Sequence, residues 1–186
     1  VVKALSRGQV RARRRAVVDA LTHAGLAPEV VNGGGTGSVT WSAQDATLTE
    51  VVVGSGFVGG TLFDGMDAFA PEPALMFALQ VTRRPARDLV TCLGGGYIAS
   101  GTPAWDRLPT PHLPEGVTLL AWEGAGEVQT PLRVAPGVSL GLGDPVVFRH
   151  AKAGELAERF ATYHLVRGAR VEASVPTYRG EGRCFL

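Results

Sequence analysis

The part of the sequence best suited to bind a ligand is a glycine-rich loop at residues 33–38. Its residues, Gly33-Gly34-Gly35-Thr36-Gly37-Ser38, follow the strand-forming pair Val30-Val31. Glycines adopt positive φ and carry no Cβ, so the amides of such a loop can close around a compact anion, for which phosphate is the natural candidate. Ligands of α/β proteins bind in loops at the carboxyl ends of strands, where this loop is predicted to lie.

Two common nucleotide-binding loops do not fit these residues. A Walker phosphate loop needs Lys-Ser or Lys-Thr after its last glycine, whereas Gly37 is followed by Ser38 and Val39. A dinucleotide-binding loop needs an acidic residue about 20 positions on that ends the next strand, whereas Glu50 comes earlier and begins a strand. The alternative to an anion site is therefore a flexible glycine turn without a ligand.

A second small-residue loop supports the anion site. The segment Glu50-Val51-Val52-Val53 is predicted to form a buried strand, and Gly54-Ser55-Gly56 follow it directly. In a parallel β/α barrel, the last two strands often supply a shared phosphate site from their loops. Two successive strands that each end in a glycine-rich loop therefore predict one site with two walls.

The elements around these loops are predicted from periodicity and capping residues. A helix over residues 6–24 would have Ser6 as its N-cap and Gly25 after its end, and a strand over 29–32 would lead into the first loop. The polar segment 42–47 predicts a short helical turn. The apolar face of the helix would consist of Val10, Val17, Leu21 and Ala24.

From about residue 71 the sequence predicts mostly β-structure. Short β-prone runs alternate with a long glycine- and proline-rich excursion at 94–116, and one amphipathic helix is expected over 152–160. The strands would cover 75–82, 88–93, 117–122 and 146–148, followed by a hairpin of 163–166 with 171–175. We therefore place a domain boundary near residue 70, with a β/α part over 1–70 and a β-rich domain over 71–186.

Composition limits the function classes. The 186 residues carry 18 basic and 17 acidic side chains, a net charge of +1, which excludes a strong field for nucleic acid or an anionic membrane. The run Arg11-Ala12-Arg13-Arg14-Arg15 would lie on a solvated helix face. Cys92, expected to be buried, and Cys184 have no metal or disulfide spacing, which favours a reducing compartment. With no signal peptide and no apolar run of about 20 residues, we expect a cytoplasmic protein.

The order of motifs resembles a known family. The chain resembles D-threonine aldolase and D-serine dehydratase-like proteins, especially the amino acid deaminase/aldolase branch. The motifs that carry the resemblance are Gly33-Gly34-Gly35-Thr36-Gly37-Ser38, Gly54-Ser55, the tail segment 123–132, Arg149-His150-Ala151-Lys152 and Tyr178-Arg179-Gly180. Proteins of this family are pyridoxal-phosphate enzymes of the alanine-racemase fold. The resemblance implies the C-terminal half of such an enzyme: the last units of a TIM-type barrel over 1–70, then a β-domain. The chain begins with Val1 instead of Met, as expected for part of a longer protein.

The family resemblance implies a cofactor site and an activity. Gly34, Gly35, Thr36, Gly37 and Ser38 would form one wall around the phosphate of pyridoxal 5′-phosphate, and Gly54 with Ser55 the other. The enzyme would be a homodimeric lyase, an aldolase or a deaminase/dehydratase, of small hydroxy amino acids, with the D configuration as one option. An amino acid racemase and a non-catalytic remnant that keeps only the phosphate loop are the alternatives.

Four further residues bear on catalysis. The lysines of this sequence, Lys3 and Lys152, do not match the Schiff-base lysine of the family, so this part alone is expected to be inactive. Relatives carry His-x-Cys or His-x-Asp as metal ligands where this chain has His150 and Lys152. A protonated lysine repels a cation, so no metal ligand is assigned, and a bound divalent metal is kept as the alternative. His150 is assigned a substrate-contacting or acid-base role, with a structural histidine as the alternative. Arg179 would bind the substrate carboxylate, with a surface ion pair to Glu181 as the alternative.

Overall fold

The structure of the protein is a computed structural model that describes residues 2–66, 70–152 and 154–183. Its helices are α1 Val2–His23, α2 Val39–Ser42 and α3 Glu155–Arg159. Two short strands, β1 Asn32–Gly34 and β2 Glu50–Val52, belong to the first part of the chain. The strands that follow are β3 Met76–Ala86, β4 Leu89–Leu93, β5 Thr110–Leu113, β6 Val117–Leu119, β7 Gln129–Val134, β8 Pro145–Arg149, β9 Thr162–Arg167 and β10 Arg170–Pro176.

Helix α1 ends where predicted but begins earlier. At its C-terminus Gly25 adopts a φ of +75°, and the amide of Leu26 bonds the carbonyl of Leu21 at 2.9 Å. This is the backbone pattern that a glycine after the last turn permits. The predicted N-cap is wrong, because Ser6 lies inside the helix, whose backbone is already helical from Val2.

The orientation of α1 also differs from the prediction. The apolar residues Val10, Val17 and Leu21 remain 40%, 59% and 37% exposed. Arg14 instead turns toward the protein, where its Nη1 lies 2.5 Å from Oδ2 of Asp45, a carboxylate that is almost fully buried. The prediction of a solvated face is therefore wrong for Arg14, because a buried carboxylate requires a charged or hydrogen-bonding partner.

The two short strands pair in parallel, with Gly33 opposite Val51 and Gly34 opposite Val52. They differ from the predicted ranges: β1 begins at Asn32, so the glycines themselves form the strand, and β2 ends at Val52. The helical turn expected over 42–47 begins earlier, as α2, and ends in hydrogen-bonded turns up to Asp45. That these strands are the last units of a TIM-type barrel stays a prediction.

The β-rich part of the chain forms one six-stranded antiparallel sheet and a separate hairpin. The sheet order is β5-β8-β3-β4-β7-β6, and its edge strands β5 and β6 approach each other, so the sheet nearly closes into a barrel. The hairpin pairs β9 with β10, as predicted. Strand β5, which lies within the 94–116 excursion, and strand β7 are absent from the predicted set. The predicted boundary near residue 70 adjoins residues 67–69, which lie outside the described residues. Cys184 also lies outside the described residues.

The core fills the inside of this sheet. Along β3, Phe77, Leu79 and Val81 are buried while their neighbours point outward, the alternation expected of a half-buried strand. The rings of Phe77 and Phe148 stack with centroids 5.3 Å apart. Cys92 is fully buried, as predicted, and burial raises the pKa of its thiol to about 11, which leaves it unreactive. In the described part of the chain, no helix has the length and apolar character needed to cross a membrane.

Leu132 tests whether this core carries the stability of the sheet. Leu132 is 0% exposed in the middle of the sheet, whereas Leu142 is 69% exposed. We expect Leu132→Ala to lower the free energy of unfolding by about 2–5 kcal/mol in urea denaturation, because it leaves a cavity. The control Leu142→Ala should change it by less than about 0.5 kcal/mol. Equal effects of the two substitutions would contradict this core assignment.

Candidate functional site

The two predicted loops meet at the carboxyl ends of β1 and β2. Each loop continues as a single 3-10 turn, Thr36–Ser38 after β1 and Ser55–Phe57 after β2. The amide of Gly56 donates a hydrogen bond to Oγ1 of Thr36 at 2.9 Å. The structure therefore joins the two loops directly, and we call residues 34–38 with residues 54–56 the cradle.

The backbone of the first loop depends on glycine. Gly34 and Gly35 have φ values of +116° and +142°, which L-residues rarely adopt. The turn that follows begins with the amides of Thr36 and Gly37, which have no acceptor within their own turn, and no side chain caps them. An anion could accept hydrogen bonds from these amides.

The cradle also has open space beside its backbone. A Cβ added at Gly35 would meet no atom closer than Oγ of Ser38 at 4.0 Å, and one added at Gly54 would meet nothing within 4 Å. A Cβ at Gly37, by contrast, would lie only 2.8 Å from Sδ of Met66. Among the described residues, the cradle is therefore open at Gly35 and Gly54 and covered by Met66 at Gly37. Open space, free amides and small hydroxyls together fit a phosphate group.

The hydroxyls of the cradle have different tasks. Thr36 is only 6% exposed, and its oxygen accepts from Gly56, so this side chain holds the two loops together while its hydroxyl hydrogen stays available. Ser38 Oγ makes two long hydrogen bonds of 3.3 Å, to the carbonyl of Gly35 and from Oγ of Ser42. Because these bonds are weak, Ser38 can turn toward a ligand at small cost.

His150 follows β8 and is 2% exposed. Its Nδ1 donates to the carbonyl of Leu75 at 3.0 Å, since a carbonyl can only accept. The neutral ring therefore carries its lone pair on Nε2, which is buried and has no hydrogen-bond partner within the described residues. Burial lowers the pKa of His150, and the charge of Arg149 lowers it further, against the opposing effects of Leu75 and Glu155. The ring is thus a neutral proton acceptor near pH 7.

The position predicted to distinguish this chain from metal-binding relatives holds a hydrogen-bonded lysine. Nζ of Lys152 donates to Oγ of Ser100 at 2.7 Å, and the amide of Ser100 donates to Oε1 of Glu155 at 2.9 Å. Partial burial raises the pKa of Glu155, but the Ser100 hydrogen bonds and the Lys152 charge outweigh this and hold it below its ordinary value. Across residues 2–66, 70–152 and 154–183, no three metal-ligating side chains form a group.

Arg179 lies apart from these groups, in an exposed turn after β10. Among the described residues, Glu181 forms its ion pair with Arg183, at 3.7 Å, and none with Arg179. The alternative of an Arg179–Glu181 pair is therefore wrong, because the turn brings the guanidinium of Arg183 to the Glu181 carboxylate instead. A contact between Arg179 and a substrate carboxylate stays a prediction. Lys3 cannot be placed, because its side chain lies outside the described part.

Residues that the sequence did not single out surround His150. Arg149 forms two hydrogen bonds with Asp64, 2.7 and 2.8 Å long, across 85 positions of the chain. Glu155 shares Ser100 with Lys152. The arginine next to His150 was visible in the sequence, but its partner was not, because nothing in the local pattern connects two residues so far apart.

Solved structures match the chain in fold. D-threonine aldolase from Filomicrobium marinum matches with a TM-score of 0.70 at 22% identity over 94% of this chain. Two variants of D-threo-3-hydroxyaspartate dehydratase, one of them in a metal-free form, match with TM-scores of 0.66 and 0.72 at 19% identity over 86% and 92% of this chain. The predicted resemblance to this group of enzymes is confirmed at the level of fold.

The matches extend over only part of those proteins. The chain spans 50% of the aldolase and 46% and 50% of the two dehydratase structures. That share agrees with the prediction that it corresponds to one half of such an enzyme. No protein-family model and no curated protein sequence matches the chain.

The lowered pKa of His150 makes the stability of the fold depend on pH. A histidine whose pKa is lower in the folded state contributes stability above its unfolded pKa of about 6.5, and loses it as the pH falls toward the folded value. We therefore expect the free energy of unfolding to fall between about pH 7.5 and about pH 5.5. In His150→Asn, which keeps an amide donor near Leu75 but does not titrate, this slope should be smaller.

The matched control is His164→Asn, which removes an exposed histidine of β9. It should leave the slope as in the unchanged protein. If His150→Asn and the unchanged protein show the same dependence on pH in denaturant titrations, His150 is not held neutral by burial.

Proposed function

We propose that the chain is part of a pyridoxal-phosphate-dependent lyase that acts on small hydroxy amino acids, and that the cradle holds the cofactor phosphate. The observation that carries the proposal is the bond between Gly56 and Thr36, which unites two glycine loops at the ends of adjacent parallel strands. The fold supports it, because the matching structures are an aldolase and a dehydratase of hydroxy amino acids. The activity of the whole enzyme is part of the proposal, since the chain covers half of theirs.

The cradle would hold phosphate with neutral groups. The amides of Thr36 and Gly37 would donate to the phosphate oxygens, and the hydroxyls of Ser38 and Ser55 would add two further donors. Fixed backbone amides in a turn of this kind bind anions without a lysine, because their dipoles point at the ligand. The arginine nearest to this part of the chain, Arg14, is already paired with Asp45.

His150 would move a proton of the substrate. When bound, pyridoxal phosphate supplies an electron sink for the carbanion at the substrate α-carbon. Cleavage of a β-hydroxy amino acid also requires that its hydroxyl give up a proton. Nε2 of His150 carries a buried lone pair without a hydrogen-bond partner in the part of the chain that the structure describes, and the Leu75 carbonyl fixes the orientation of the ring. We therefore assign His150 as the acceptor of that proton, which favours aldol cleavage among the lyase reactions of this class.

Lys152 would take no covalent part. Its Nζ donates a hydrogen bond to Oγ of Ser100 and interacts with the Glu155 carboxylate, so the side chain is held in contacts within this chain. We propose that the lysine bonded to the cofactor belongs to a part of the enzyme outside this sequence. A module that only binds phosphate would have the same cradle, so the binding of the cofactor and the chemistry of Lys152 must be tested separately.

Calorimetric titration with pyridoxine 5′-phosphate tests the cradle. This compound keeps the phosphate and ring but lacks the aldehyde, so it cannot react with lysine. We expect binding that weakens about tenfold or more in Ser38→Ala and in Thr36→Val. Ser38→Ala removes a hydroxyl that would donate to the charged phosphate. Thr36→Val removes the acceptor that holds the second loop at Gly56. Ser6→Ala, an exposed serine of α1, serves as control and should bind as the unchanged chain does.

Two further results decide the proposal. Pyridoxine without its phosphate should fail to compete, and borohydride reduction after incubation with pyridoxal phosphate should leave Lys152 unmodified in peptide mass analysis. No binding, or equal binding by all variants, would reject the cradle as a phosphate site. A stoichiometric adduct on Lys152 would show that the covalent lysine lies within this chain.

A further inference from the structure

A line of backbone hydrogen bonds runs from the cradle to His150. The carbonyl of Ser55 accepts from the amide of Val58 at 3.2 Å, and the carbonyl of Val58 accepts from the amide of Leu75 at 3.1 Å. The carbonyl of Leu75 then accepts from Nδ1 of His150 at 3.0 Å. The ring of His150 is therefore oriented by the carbonyl of Leu75, a residue whose amide is bonded through Val58 to the second wall of the cradle.

A second connection runs through residues 59–66. The amide of Thr61 donates to the carbonyl of His150 at 3.0 Å. Gly60 packs so closely on Ala151 that an added Cβ would lie 2.5 Å from its carbonyl oxygen. At the other end of the segment, Met66 covers Gly37 of the cradle. Residues 59–66 thus touch the first wall of the cradle and the backbone of His150 at the same time; we call them the bridge.

Arg149 fixes the bridge to the sheet. Its guanidinium donates to both carboxylate oxygens of Asp64, at 2.7 and 2.8 Å, and to the carbonyl of Gly59 at 2.9 Å. The Arg149 side chain is only 13% exposed. Bidentate pairs between arginine and a carboxylate are strong and directional. Arg149 is the last residue of β8, and His150 follows it directly.

We propose that Arg149 is a positioning residue whose pair with Asp64 couples phosphate binding in the cradle to the placement of His150. The proposal rests on the proposed function, because it requires that the cradle takes a phosphate. A ligand that orders Gly37 also orders Met66 and the bridge, and the bridge holds the backbone of His150. Coupling between two sites is reciprocal, so a change in the bridge must alter the affinity of the cradle.

Three charged side chains influence His150. Glu155 of α3 and Arg149 of β8 act on its ring electrostatically, and Asp64 of the bridge neutralises Arg149. Removing the Asp64 charge therefore changes two things at once: the bridge loses its anchor, and Arg149 stands unpaired beside the histidine. Both effects reach His150 without any contact between Asp64 and the ligand.

Substitution of Asp64 tests the coupling. We expect two substitutions each to weaken the binding of pyridoxine 5′-phosphate by about fivefold or more. Asp64→Asn keeps the shape of the side chain but removes its charge. Arg149→Lys keeps the charge but cannot bond both carboxylate oxygens at once. Asp88→Asn is the matched control: it breaks the 2.6 Å pair with Arg133 at the far side of the sheet. The affinity should be unchanged in that variant.

The ring resonances of His150 provide a readout that a purely structural pair would not move. In the unchanged chain, NMR should show them shift when pyridoxine 5′-phosphate is added, and the shift should be smaller in Asp64→Asn at saturating ligand. Unchanged affinity in both variants, or a His150 resonance that ignores the ligand in the unchanged chain, would overturn the coupling while leaving the cradle intact. Absence of binding in the unchanged chain would reject the cradle and the coupling together.

Discussion

The hydrogen bond from the Gly56 amide to the Thr36 hydroxyl is the constraint on which the candidate site depends. It holds together two loops that leave neighbouring parallel strands, and it uses a buried side chain to do so. Without it, the loop that leaves β1 at Gly35, a residue with a positive φ value, would have no hydrogen bond to the second loop. With it, the amides of the first loop are fixed before any ligand arrives, which reduces the entropy lost on binding.

The β-rich part of the chain immobilises the histidine that we propose as the proton acceptor. His150 follows a central strand of the six-stranded sheet, and its ring is buried against a carbonyl that selects one tautomer. Burial makes the charged ring costly, so the same packing that stabilises the domain also sets the protonation state of the residue. Structure and chemistry are in this way supplied by the same contacts.

The sequence predicted those features that local residue types determine. The glycine loops, the hairpin around Gly168 and the end of α1 at Gly25 follow from backbone conformations that glycine permits and other residues do not. The β-rich character of the chain after residue 70 follows from short β-prone runs, whereas the order of the strands in the sheet depends on pairings between residues far apart in sequence. The Arg14–Asp45 and Arg149–Asp64 pairs could not be predicted, since each joins charged residues that are far apart in sequence and near only after folding. The same holds for the hydrogen bond between Lys152 and Ser100.

The measurement that tests the central claim most directly is a crystal structure of the chain soaked with pyridoxine 5′-phosphate. We expect density for the phosphate between the two loops, within hydrogen-bond distance of the amides of Thr36 and Gly37 and of the hydroxyls of Ser38 and Ser55. Density for the phosphate elsewhere on the molecule, with the cradle in contact only with solvent, would contradict the assignment of these loops as the cofactor site.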